Sequence, residues 1–220
     1  MHSRPFTFLF GLTIAVYVLQ AAVPVPLLGK LSTLAWLYAI WLALAANGAS
    51  TALRTALVGV WTATVLIRLF PIPGLETLSM VGARGLGTLM LAICVVGIAR
   101  YVLFREQVTG DTLFGAAVAY ILTASAFGQL FTGLHLLYGN AFVVPEHLLA
   151  QLDANPDQLF NYFSFVTLAT LGYGEVLPLH PVAQILVSIE TVLGQLYVAI
   201  VIAWLVGNTA FDRTRRKDDH

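Results

Sequence analysis

The sequence has little charge for its length. Of its 220 residues, 10% are Asp, Glu, Lys or Arg and 59% are hydrophobic. Soluble domains carry about 25% charged residues, so this chain cannot cover its surface with polar groups in water. The formal net charge is zero, which gives no argument for a nucleic-acid partner. These shortages indicate a protein whose solvent is the lipid bilayer.

Reactive and metal-binding residues are also scarce. Cys94 is the single cysteine, which excludes an internal disulfide and a cysteine-rich metal site. The five histidines are scattered, and no nucleophile–base pair or phosphate-binding glycine loop is present. We therefore predict that the protein is not an enzyme.

Long apolar runs fill most of the chain. A helix needs about 20 apolar residues to cross about 30 Å of hydrocarbon, and six runs approach or exceed that length. They are Phe6–Val23, Leu31–Ala46, Ala52–Phe70, Met80–Leu103, Thr112–Tyr138 and Val182–Gly207. The sequence thus predicts an all-α membrane protein with six transmembrane helices, the first of them retained because more spans follow it.

Basic residues fix the predicted orientation. With the N-terminus in the cytoplasm, eight Lys and Arg residues fall inside and only Lys30, Arg68 and Arg84 fall outside. The positive-inside rule then places both termini in the cytoplasm of a cell membrane. Arg68 and Arg84, like Arg54 and Arg100, lie near span ends, where we expect their side chains to snorkel to the interface.

A seventh apolar run, Leu159–Ala169, is too short to cross and leads into TLGYG at Thr170–Gly174. Pro156 and Asp157 precede the run and suit a helix N-terminus. We predict a re-entrant helix followed by a loop, because two glycines two residues apart favour non-helical dihedrals. Such backbone is tolerated at membrane depth only where it is buried in protein or lines an aqueous cavity.

The TLGYG residues suit cation coordination. Glycine permits conformations in which successive carbonyls point the same way, and stacked carbonyl rings from several subunits replace the water shell of a cation. We predict that Thr170, Leu171, Gly172 and Tyr173 bind the ion and that Gly174 completes the ion-binding loop, which we call the filter (Thr170–Gly174). The Thr170 hydroxyl adds an inner oxygen ring, and Tyr173 packs sideways to hold the loop's diameter.

The outer segment Gly139–Asn161 carries Glu146, Asp153 and Asp157 but no lysine or arginine, and Glu175 follows the filter. Acids around an outer mouth raise the local cation concentration. An acidic, solvated loop without that role is an equal alternative.

From Thr167 to Gly174 the sequence TLATLGYG resembles the filter run of the potassium channel pore-module family, T-x-T-T-V-G-Y-G. The resemblance covers about Thr112–Gly207 and implies a pore domain at 106–207 with outer helix, pore helix, filter and inner helix. It also implies a homotetramer surrounded by membrane lipid, with K⁺ as the permeant ion.

The family pattern assigns filter support to residues around the loop. Tyr162 and Phe163 fall where the family has two buttressing aromatic residues, and Thr167 and Glu175 flank the filter. Three positions depart from the pattern: Leu171 replaces valine, Ala169 replaces threonine and Glu175 replaces aspartate. They leave the degree of potassium selectivity open.

The last span carries the predicted gating and cavity residues. Gly194 falls where the family often has a hinge glycine, although glycine in membrane helices also serves close packing. Glu190 is the one acid in this span, and we expect it to bond to the back of the pore helix or to face the cavity. Residues at helical spacing are predicted to line the cavity and to gate by dewetting: Gln195, Ala199, Ile202 and Val206.

Six-span members of the family often use their first four helices as a voltage sensor, which needs a stripe of arginines. Residues 1–105 show no such stripe, since Arg84 and Arg100 are sixteen residues apart with no arginine between them. We predict a channel that is not strongly voltage-gated, with residues 208–220 as a short basic tail and no ligand-sensing domain. The alternatives are a weakly selective cation channel, a potassium transporter subunit, and a membrane structural protein in which GYG only packs.

Overall fold

The computed structural model describes residues 5–22, 50–104 and 108–218, including side chains except those of 19–22, 205–206 and 208–218. Most of these residues are helical. The elements are α1 (Pro5–Ala22), α2 (Thr51–Leu69), α3 (Glu76–Leu103), α4 (Gly110–Tyr138), β1 (Phe142–Val143), α5 (Glu146–Ala154), α6 (Pro156–Leu168), β2 (Leu177–Pro178) and α7 (Pro181–Asp218).

Four of the described helices are long and apolar enough to cross a membrane. They are α2, α3, α4 and residues Pro181–Trp204 of α7, and each coincides with a predicted span. The predicted span Leu31–Ala46 lies outside the described residues, so the count of six spans stays a prediction. Several apolar helices agree with the predicted all-α membrane protein.

The segment that was predicted to be re-entrant forms the 13-residue helix α6. At 1.5 Å per residue it is about 20 Å long, too short to cross the hydrocarbon. Its N-terminus has the predicted chemistry: Asn155 caps it by accepting from Gln158 N, Pro156 opens it, and Asp157 lies in the first turn. Pro156 suits the first turn because the missing N–H would have no helical partner there.

Contacts within the chain group its residues into two compact units. The first unit comprises Met1–Arg54, Cys94–Tyr120 and Leu196–His220. Among its described residues, Asp111 Oδ1 accepts from Phe6 N and Thr7 N at 3.0 Å each. A carboxylate at this position satisfies backbone N–H groups that the first turn of α1 leaves unpaired.

The second unit comprises Thr55–Ile93 and Ile121–Gln195 and contains the predicted filter. Its aromatic core brings α4, α6 and β1 together: Phe131 lies 5.4 Å from Phe163 and 5.5 Å from Phe142, ring centre to ring centre. Phe160 and Leu159 are fully buried in the same cluster. The predicted boundary near residue 105 stays a prediction.

Three elements near the predicted filter do not appear among the sequence predictions. Strands β1 and β2 form a two-stranded antiparallel sheet that pairs Phe142 with Pro178 and Val143 with Leu177. The short helix α5 precedes α6 and packs against it. The sheet joins the segment after α4 to the segment after the filter.

Candidate functional site

The backbone of the predicted filter, Thr170–Gly174, alternates in handedness. Thr170, Gly172 and Gly174 have φ of 58°, 59° and 78°, whereas Leu171 and Tyr173 between them have negative φ. Thr170 is the one non-glycine residue with positive φ in the part of the chain that the structure describes. Alternation of left- and right-handed residues turns successive carbonyls toward one side, which is the arrangement that a carbonyl filter needs.

The C-terminal end of α6 holds this backbone from behind. The carbonyl oxygen of Val166 accepts from Leu171 N at 2.9 Å and from Gly172 N at 3.4 Å, and Thr170 N donates to Thr167 O at 2.9 Å. These bonds occupy the amide groups of the first half of the filter. The partial negative charge of a helix C-terminus also favours a cation nearby.

The predicted support residues meet around the filter. Tyr162 Oη donates to Glu175 Oε2 at 2.8 Å, which links α6 to the residue after the filter. This hydrogen bond raises the pKa of Tyr162. Phe163 and Thr167 are buried behind the filter, whereas Tyr173 is 64% exposed.

Beside the filter lies a recess of about 350 Å³. Its lining combines filter, pore helix and inner helix residues, among them Tyr162, Thr170, Tyr173, Val187 and Thr191. The recess and the exposed Tyr173 leave one face of the filter uncovered within a single protomer.

The inner helix touches both the pore helix and the filter. A Cβ atom on Gly194 would overlap the carbonyl oxygen of Leu168 and lie 3.0 Å from its carbonyl carbon. Gln195 Nε2 donates to Thr170 Oγ1 at 3.2 Å. Gly194 therefore provides close approach, whereas its predicted hinge role stays a prediction.

Glu190 takes the first of its two predicted placements. It is fully buried, and its Oε1 is hydrogen-bonded to Ser164 Oγ on α6. Ser164 Oγ also donates to the carbonyl oxygen of Ala124 at 2.7 Å. Ala199 and Ile202 are exposed on α7, and the side chain of Val206 lies outside the described residues, so their cavity-lining role stays a prediction.

Comparison with known proteins finds similarity in the same part of the chain. Residues 160–208 match a family model described as "Ion channel". The chain is 34% identical over 86 residues to the inward rectifier potassium channel Kirbac3.1 of Paramagnetospirillum magnetotacticum. The matched segment is similar to the pore module of potassium channels. The alignment covers 36% of this chain and 29% of that relative, so the chain spans under a third of the relative's length. No solved structure matches the chain significantly.

Both matches are described as channels, which confirms for the matched segment the prediction that the protein is not an enzyme. The match begins at residue 160, inside α6, and runs through the filter and most of α7. It therefore covers the carbonyl run and the contacts of Gly194 and Glu190. The family model does not cover residues 5–159.

One ion-pair cluster at the start of α6 was not predicted from the sequence. Arg68 Nη2 lies 2.5 Å from Asp157 Oδ2, and Arg84 Nη2 lies 3.3 Å from Asp157 Oδ1. Only 4% of Arg84 is exposed, so the prediction that Arg84 snorkels is wrong. The physical reason is the carboxylate at the start of α6, which pairs with a guanidinium that would otherwise seek water.

The same cluster changes the interpretation of the outer acids. Burial alone would raise the pKa of Asp157, but the charges of Arg68 and Arg84 outweigh it and hold that pKa below its usual value. Asp157 and Glu175 are thus both engaged by named partners. Glu146 and Asp153 are exposed, as expected of either a cation-attracting mouth or a solvated loop.

Proposed function

We propose that four copies of this chain form a channel that conducts K⁺ passively and selectively through the carbonyls of Thr170–Gly174. The observation that carries the proposal is the alternating backbone of the filter, with positive φ at residues 170, 172 and 174. The amides of Leu171 and Gly172 point back to Val166. Their carbonyls are thereby free to replace the hydration shell of K⁺.

The exposed side of the filter supports the tetramer. One protomer contributes one carbonyl per filter level and cannot surround an ion. Tyr173 and Leu171 are 64% and 59% exposed beside the recess, and a neighbouring copy would cover them. Closed cyclic symmetry is the usual way to complete such a ring.

The same proposal includes a cell-membrane location, cytoplasmic termini and weak voltage dependence. Voltage sensing requires cationic side chains that move through the field. Arg84 is buried and ion-paired with Asp157, which supports a fixed rather than a moving charge. The pore domain at 106–207 and the tail at 208–220 belong to this proposal as well.

The deciding test is the reversal potential of the purified full chain in planar bilayers, with K⁺ on one side and Na⁺ on the other. A potential close to the potassium equilibrium value is expected. Robust current that reverses near zero would replace this function with the weakly selective cation channel that Leu171 and Glu175 leave open.

A matched pair of substitutions tests whether the filter backbone is responsible. Gly172 and Gly139 both have positive φ, 59° and 68°, and neither has a neighbour within 4 Å of an added Cβ among the described residues. Alanine therefore brings about 1–2 kcal/mol of left-handed strain at each position. We expect Gly172→Ala to abolish selective current and Gly139→Ala to retain it. Equal effects of the two would contradict a filter at this position.

A further inference from the structure

Two arginines from different helices share one carboxylate at the start of the pore helix. Arg68 closes α2, Arg84 lies in the third turn of α3, and Asp157 lies in the first turn of α6. Arg84 approaches both carboxylate oxygens, with Nε 3.3 Å from Oδ1 and Nη2 3.4 Å from Oδ2. Arg68 Nη1 also contacts Gln129 Oε1 at 3.4 Å. We call these residues the outer clamp: Arg68, Arg84, Gln129 and Asp157.

Asp157 begins a seam along which α6 lies against α4. Asp157 faces Thr132, and a Cβ on Gly128 would come within 2.9 Å of Asn161 Cα. Ser164 donates to the carbonyl of Ala124. Residue numbers along the seam rise by four and then three on α6 and fall by four each time on α4. This pattern is expected for two antiparallel helices in continuous contact.

The seam makes α6 a rigid connection between the outer clamp and the filter. The N-terminus of α6 is held at Asp157, and the Val166 carbonyl near its C-terminus accepts from two filter amides. A displacement at the first turn of a packed helix moves the last turn as well, because close-packed interiors do not absorb such shifts. The outer clamp and the filter amides are therefore on one mechanical element.

The charge count of the outer clamp makes Asp157 indispensable to it. Two guanidinium groups and one carboxylate leave a net charge of +1, and Arg84 Nη1 is buried without a hydrogen-bond partner among the described residues. Loss of the carboxylate leaves two cations facing each other, one of them buried. An unpaired buried charge is far costlier than loss of the whole pair. We therefore expect the side chains of the outer clamp to separate when the charge of Asp157 is removed.

We propose that α2 and α3 position the selectivity filter through the outer clamp, with Asp157 as a positioning residue that acts through α6. This inference rests on the proposed potassium channel function. It gives the helices before the pore domain a task other than voltage sensing: they fix the depth and tilt of the pore helix.

The test compares reversal potentials of full-length variants in planar bilayers. We expect Asp157→Asn to lower the K⁺/Na⁺ permeability ratio by about tenfold or more and Asp157→Glu to keep it near the wild-type value. Asp153→Asn is the matched control, since Asp153 is an exposed acid of the same outer segment. It removes the same charge from the mouth and should leave the ratio unchanged. A purely structural defect would reduce the number of active channels without changing their reversal potential.

A double variant covers the case in which Asp157→Asn fails to fold. Asp157→Asn with Arg84→Gln keeps the net charge of the clamp at +1 and leaves no buried arginine unpaired. We expect it to assemble and still to lose selectivity. Wild-type selectivity in this variant would overturn the inference. Absence of selectivity in the wild-type channel would overturn the proposed function instead, so the two failures are distinguishable.

Discussion

The contact between Gly194 and Leu168 makes a sharp prediction about the inner helix. A methyl group on Gly194 would enter the carbonyl of Leu168, with Leu168 Cδ1 also within 3.1 Å of the added atom. Backbone at the end of α6 cannot rotate away as a flexible side chain does. Gly194→Ala should therefore force α7 and the end of α6 apart, next to the filter anchor at Val166.

The size of the effect follows from two opposing contributions. Overpacking of a close-packed interface costs about 1–3 kcal/mol, whereas replacement of a helical glycine by alanine returns about 0.5–1 kcal/mol. At the middle of these ranges the net loss is about 1 kcal/mol for each protomer. For a chain of this size, that corresponds to a fall of about 2–4 °C in the unfolding midpoint.

Thermal unfolding of the purified full chain in detergent, followed by circular dichroism, measures this loss. Gly59→Ala on α2 is the matched control, because no described atom lies within 4 Å of its added Cβ. It should leave the midpoint unchanged or raise it. If Gly194→Ala unfolds at the same temperature as Gly59→Ala and changes only the open probability, Gly194 is a hinge and the packing argument fails.

Two further predictions concern hydrogen bonds around the pore helix. Tyr162→Phe removes the hydrogen bond to Glu175, which is worth about 1 kcal/mol or less at an exposed position. It should therefore reduce the extra thermal stability that K⁺ gives the protein over Na⁺, whereas Glu175→Gln keeps an acceptor and should not reduce it. Equal ion-dependent stability in the two variants would show that this hydrogen bond does not brace the filter. Ser164 Oγ has one proton and lies within hydrogen-bond distance of both the Ala124 carbonyl oxygen and Glu190 Oε1. We expect the proton to go to Ala124 and Glu190 to donate to Ser164 as a neutral acid, so Glu190→Gln, which can also donate, should retain stability within about 1 kcal/mol in urea unfolding. A loss well above that would show that Ser164 donates to an ionised carboxylate.

The backbone geometry of Thr170–Gly174 could be predicted from sequence because it depends on local residues. Gly172 and Gly174 have positive φ, as two glycines two residues apart indicate. The short apolar run, Pro156 and Asp157 predicted α6 to within a few residues of its bounds. Each of these features depends on neighbours in the chain, where residue spacing carries the information.

Contacts between residues far apart in the chain could not be predicted from the sequence. An arginine near a span end is compatible with snorkelling or with an ion pair, and the partner of Arg84 lies 73 residues away at Asp157. The β1–β2 sheet has only two residues in each strand, too few for a period-two pattern. Helix α5 could have been predicted from the sequence, since Pro145 followed by Glu146 is a helix-start signal.

The strained geometry of Thr170 explains why the pore helix has to be held at both ends. A non-glycine residue at φ 58° costs about 1–2 kcal/mol and persists only where its surroundings fix it. Two contacts hold Thr170 in this conformation. The Val166 carbonyl accepts from the two amides that follow Thr170 in the chain, and Gln195 donates to the Thr170 hydroxyl. Val166 is near the end of a helix too short to be anchored by its own apolar length. The filter conformation consequently depends on packing at the C-terminus of α6 and on charge at its N-terminus, and residues 5–159, which the family model does not cover, supply that charge.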